Sequence, residues 1–180
     1  MERQQSQKER SVAWFKLADL IARGEREKAL SVFRLLSHSL ADKAYVLQIE
    51  GDILWYMDDT ASIEKYRQAA TLYQKEKRWI NAIALQEHVL AMRPDSFEPL
   101  ATLLLLYALV DWQEKFLDRF NALLALHDQR LVDGPQLEKA LRDLAEVVRQ
   151  GGGKPWLATW YAQNQHRLPS DMQTRVSGLF

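Results

Sequence analysis

The chain has 180 residues, no cysteine, and 24 lysines and arginines against 24 aspartates and glutamates. That balance excludes a global electrostatic pull toward nucleic acid or anionic lipid, and the missing cysteine excludes a disulfide framework, a thiolate nucleophile and a Cys-based zinc site. The polar start MERQQSQKER and the shortness of apolar runs such as Leu103 to Val110 predict a cytoplasmic protein with no membrane insertion.

Breakers are scarce in the first half: all five prolines lie at Pro94 or later, and Gly24 and Gly51 are the only glycines before it. Strand signals are missing, so the fold class expected is all-α. A first helix is predicted over 9–22, after a flexible terminus at 1–8. Val12, Trp14, Phe15, Ala18 and Ile21 recur on it at three- and four-residue spacing, and Gly24 supplies a left-handed C-terminal cap. Further helices follow at 26–39, 43–57, 60–77 and 79–92, the last ended by Arg93-Pro94-Asp95. Ser96 is expected to cap a helix over 97–110 that tolerates Pro99 in its first turn. Another follows at 112–127. Asp133-Gly134-Pro135-Gln136 then reads as the opening of a helix to 149, with a side-chain cap and a polar third position. Gly151-Gly152-Gly153 marks a linker, 150–154. Beyond it, 155–180 holds an aromatic helix and a last turn capped by Ser170.

The helix pairs recur near 34 residues. One copy reads Tyr66, Ala69, Ala70, Tyr73, Trp79, Ala82, Leu90, Pro94. A later one reads Leu100, Leu103, Leu104, Tyr107, Phe116, Phe120, Leu124, with large residues at both small positions, Leu104 and Phe116. An earlier one reads Trp14, Leu17, Ala18, Ile21, Ala29, Phe33, and between them Leu47, Gly51, Leu54, Ser62, Tyr66, Ala69 also align. This pattern resembles the tetratricopeptide repeat, whose small residues let two helices of a hairpin approach while large ones fill the grooves beside them. The resemblance implies antiparallel hairpins stacked over 9–149 as a right-handed superhelix, closed by a C-terminal capping helix. Under strict two-helix phasing, helix 60–77 serves both as second helix of one repeat and as first helix of the next. Either one helix is extra or one match is coincidental.

No catalytic or metal constellation emerges. His38, His88, His127 and His166 lie far apart, none three or four residues from another, and Gly151 to Lys154 lacks phosphate-loop spacing. No enzyme, cofactor or metal is therefore expected. Lys75, Lys77, Arg78 and Trp79 mix basic and aromatic character, but Glu76 interrupts them, and no nucleic-acid partner is expected.

The resemblance implies that first helices line a groove for another protein. Phe15, Asp19, Arg67 and Thr71 stand where chaperone-tail-binding members carry Lys or Arg and Asn, so a carboxylate clamp is not expected. Arg67, Gln74 and Lys75 are candidates to hydrogen-bond a peptide, with a solvated face as the alternative. Helix 97–110 is apolar almost all round and must be buried on several sides, with Ala101, Leu105, Ala108 and Leu109 facing the groove. The tail residues Trp156, Leu157, Trp160 and Tyr161 are the plainest cover for it, as a permanent cap or a detachable plug. The functional expectation is a non-catalytic adaptor, assembly factor or chaperone that holds a peptide or helix of a partner protein. The alternatives are a structural or regulatory subunit with a flat permanent interface, a homodimer included, and a helical enzyme with a polar pocket.

Overall fold

The computed structural model describes residues 2–150 and 155–176; the side chains of residues 2–10, Val148, Gln150 and Asp171 fall outside that description. Among these residues the chain is helical without strands: α1 (Glu2–Ala22), α2 (Arg26–Ser37), α3 (Lys43–Tyr56), α4 (Ala61–Lys75), α5 (Trp79–Met92), α6 (Phe97–Leu109), α7 (Gln113–Asp128), α8 (Gly134–Gln150), α9 (Pro155–Asn164) and α10 (Ser170–Val176), with a 3-10 turn at Gln165–Arg167. The linker expected at 150–154 lies outside the described residues from Gly151 to Lys154.

Two local expectations are corrected. α1 begins at Glu2, ahead of the start expected at residue 9, because Glu, Arg, Gln and Lys are all good helix formers. Ser96 occupies the N-cap position of α6 in an extended conformation, but its side chain makes no capping bond. The cap at α8 does form, reciprocally. The Gln136 N–H donates to Asp133 Oδ1 at 2.8 Å, and the Asp133 N–H donates to Gln136 Oε1 at 2.9 Å.

One turn recurs along the chain. Gly24, Asp58, Lys77, Asp111 and Arg130 all have positive φ, 70° at the glycine and 54–62° at the others. In each case the next N–H returns to the carbonyl five residues back: Glu25 to Leu20, Asp59 to Leu54, Arg78 to Tyr73, Trp112 to Tyr107 and Leu131 to Leu126, at 2.8–2.9 Å. This closure satisfies a carbonyl left over at a helix C-terminus. A side chain in this backbone region costs about 1–2 kcal/mol, so something must hold it there. The five accepting residues are all buried, which ties each turn to side-chain packing.

The spacing of these turns answers the register conflict. Gly24 to Asp58 and Lys77 to Asp111 are 34 residues apart, whereas Asp58 to Lys77 and Asp111 to Arg130 are 19 apart. α4 therefore lies between two turns of the same kind, and so does α7. A strict 34-residue period is not kept; the pattern of turns repeats every 53 residues, from Asp58 to Asp111 and from Lys77 to Arg130.

The chain packs as two compact units, Met1–Leu85 and Gln86–Phe180, and α5 runs across the boundary. In the first unit, Leu17 and Leu20 of α1, Ala29, Leu30, Phe33 and Leu36 of α2, and Ile53 and Leu54 of α3 form one apolar core. α3 and α4 then pack closely along their lengths. Gly51 makes that approach possible, since a Cβ there would lie 2.7 Å from the ring of buried Tyr66. Tyr66 and Tyr73 donate their hydroxyl protons back to α3, to Asp52 Oδ1 and Gln48 Oε1, both at 2.8 Å. Arg78 lies over the Tyr73 ring at 4.3 Å and reaches Asp42, the N-cap of α3, at 2.6 Å.

In the second unit, α6 packs on both α7 and α8. Its Leu100, Leu103, Leu104, Leu106 and Tyr107 are fully enclosed, as an all-apolar helix requires. The Tyr107 hydroxyl donates to Glu87 Oε1 at 2.6 Å, and Arg119 forks onto both oxygens of the same carboxylate. Burial, then the bond to Glu87, pushes the Tyr107 hydroxyl well above the usual phenol range, so it stays a donor.

Candidate functional site

α7 and α4 can be read residue against residue, because each starts from an aspartate held at positive φ and ends at the same turn. Position by position, Ile63 matches Phe116, Arg67 matches Phe120, Glu64 matches Leu117, Gln68 matches Asn121 and Thr71 matches Leu124. Their surroundings differ sharply.

On α7 the face is closed by the chain's own tail. Phe116 and Phe120 stack at 6.3 Å and are buried. Trp156 meets Phe116 edge to face at 5.3 Å, and Trp160 meets Phe116 and Phe120 in the same way at 4.9 and 4.5 Å. Two polar bonds fix the register. The Trp156 indole N–H donates to Asp111 Oδ1 at 3.0 Å, and Arg167 donates to Asn121 Oδ1 at 2.7 Å. Leu157 and Tyr161 are buried on the same helix, and burial raises the Tyr161 hydroxyl. The Trp160 indole N–H is buried with no hydrogen-bond partner among the described residues, so this residue is held by ring contact. α10 follows onto α8, where Arg175 adds an ion pair to Glu138.

On α4 the face is open. A shallow depression of about 400 Å³ is lined by Leu47 of α3 with Glu64, Arg67, Gln68, Thr71 and Leu72 of α4. A second of similar volume, between Asp42, Lys43 and Glu76, shares Leu72 with it. Gln68 donates to Glu64 at 2.9 Å, which braces the rim. Arg67 and Thr71 are exposed, whereas the matching Phe120 and Leu124 are buried.

The structure therefore gathers some of the expected site residues and disperses others. Arg67 lines the depression, while half-buried Gln74 and exposed Lys75 lie further along α4, beyond its lining. Of the α6 stripe, Ala101, Leu105 and Leu109 are half-buried, but Ala108 is wholly enclosed and closed to a partner. The reason is that α7 and α8 both pack on α6. The tail's ring contacts fall on α7. Asp58, Ile63 and Gln68 join the candidate face through the match with α7. Among the described residues no three His, Asp or Glu side chains converge to hold a metal ion, and no helix is long and apolar enough to cross a membrane. The chain matches no protein-family model, no curated protein and no solved structure.

Proposed function

We propose that the chain is a non-catalytic protein-interaction module, an array of antiparallel helical hairpins resembling tetratricopeptide repeats, which holds a helical segment of a partner protein. The observation that carries this reading is α9 on α7: the outer face of one helix of the array already binds a helix, through aromatic contacts and two polar anchors. An apolar centre with a few orienting polar bonds is the usual division of labour at a protein interface. The tail is a permanent part of the fold in this reading, since lifting it would return Phe116 and Phe120 to water at a cost of roughly 1.5–3 kcal/mol each.

Affinity capture from native lysate with the full chain tests the proposal, followed by protection mapping of the purified complex. The expected result is one stoichiometric partner that shields a helical face of the array. Recovery of the chain alone, as a monomer by light scattering, would remove the adaptor reading. Recovery as a stable dimer would replace it with a self-association role.

A further inference from the structure

We infer that the outer face of α1 is a self-association surface: it seats the α1 of a second copy of this chain, antiparallel, about a two-fold axis between Val12 and Phe15. The inference goes beyond the interaction reading and does not depend on it, since α4, α7 and the tail take no part.

α1 has two unlike faces. The inner one carries Leu17 and Leu20 into the core of the first unit, with Ala13, Trp14 and Ile21 packed against that core. The outer one leaves Val12, Phe15, Asp19 and Ala22 exposed. Phe15 is 76% exposed, the most of any large apolar side chain among the described residues. These four positions are spaced three and four apart, the spacing at which two helices meet along a seam, and the same register runs back along the helix to position 8.

The order of charges names the occupant. In the sequence, positions 8 and 9 are Lys and Glu, and positions 16 and 19 are Lys and Asp. An antiparallel copy laid with its Val12 on Phe15 brings position 8 opposite position 19 and position 9 beside position 16. Each pairing is of opposite sign, and the two-fold axis makes each of them twice. A parallel copy in register would set 8 on 8, 16 on 16 and 19 on 19, like charge on like at every level. Asp19 already meets Arg23 one turn on at 3.0 Å, but that pair is exposed, and the carboxylate keeps lone pairs for a further donor. An apolar centre flanked by charges that complement their own reversed order is what a contact between identical surfaces requires.

Sedimentation velocity on the purified full chain tests this. The expected result is a mass that rises from one chain to two between about 1 and about 200 μM, as a two-helix contact at the small end of interface sizes predicts. Phe15→Glu should keep the chain monomeric throughout with its far-ultraviolet helix signal intact, because the side chain is exposed in the single copy. Asp19→Lys should raise the dissociation constant roughly tenfold or more. Adding Lys8→Asp to it should restore association to within about threefold, a rescue that a purely structural role for either residue would not give. Direction is read from introduced thiols, since the chain has no cysteine of its own. Oxidation should link a Gln5→Cys chain to an Ala22→Cys chain in a mixture, and neither to itself. A monomer at every concentration overturns the inference, and so does a dimer that survives Phe15→Glu or a Gln5→Cys chain that links to itself. The interaction reading is decided separately by capture from lysate. A monomer that still recovers one partner loses only the α1 contact, whereas a foreign protein whose recovery is lost with Phe15→Glu gives this face another occupant and overturns self-association.

Discussion

Counting nine residues on from the left-handed aspartate leads to Phe120 on α7 and to Arg67 on α4. The first lies under Trp160 at 4.5 Å; the second lines an open depression. The two helices start and stop with the same backbone turn and have the same length between turns, so the scaffold does not dictate whether the face is closed. Side-chain composition does. Two aromatic rings commit α7 to a fixed cover, and a cation, a hydroxyl and a carboxylate leave α4 able to stand uncovered.

The comparison breaks most readily at those matched positions. Phe120→Ala should cost about 3–5 kcal/mol in urea unfolding, because it empties the site beneath Trp160, whereas Arg67→Ala should stay within about 0.5 kcal/mol. Equal effects would dissolve the distinction between closed and open faces. Gly51→Ala comes next, at about 1–3 kcal/mol. The new Cβ would press on a Tyr66 ring that is buried and tied to Asp52, leaving it little room to yield. An alanine tolerated at no cost would show that α3 and α4 do not approach so closely.

Smaller effects sharpen the shared part of the comparison. Lys77→Gly and Arg130→Gly should each stabilise the protein by about 0.5–1 kcal/mol, since glycine adopts positive φ without the Cβ clash and gives back part of that gain as unfolded-chain entropy. Destabilisation at either position would mean that the side chain itself holds the turn.

The smallest expected effect is on acid response. The Tyr45 N–H and then the Arg78 guanidinium hold Asp42 below the usual carboxylate range, and the Ala61 N–H and then Arg26 do so for Asp59. Carboxylates lowered on folding stabilise above their unfolded value, about pH 4, and that contribution is lost as pH falls through the folded value. Amide protection at Tyr45 and Ala61 should therefore hold down to about pH 4 and fall as pH drops below it, ahead of the α6 core. Uniform loss across both units would separate these caps from the acid transition.

Helix limits were legible wherever a residue carried local chemistry. Gly24 marked its turn, and Asp133 with Gln136 announced the reciprocal cap that forms between them. Lys77, Asp111 and Arg130 carried no such mark. Their turns close on the carbonyls of Tyr73, Tyr107 and Leu126, and the burial of those residues is not written in the turn itself. Phe116 shows a signal of a different sort. A large residue where the repeat pattern asks for a small one is the trace of the tryptophans that pack against it. Hydropathy established that α6 is enclosed, but it could not say by which neighbours.

The joints at Gly24, Lys77 and Arg130 share one geometry at intervals of 53 residues, which makes them interchangeable ends. A tandem copy of residues 25–77 would leave and re-enter the chain through the same kind of joint, adding a second open α4-type face without inventing a new connection. A copy of 34 residues would not, because it omits the 19-residue step. The length of such a protein can therefore grow only in whole frames, and each added frame brings its own aspartate and its own choice of what, if anything, to hold.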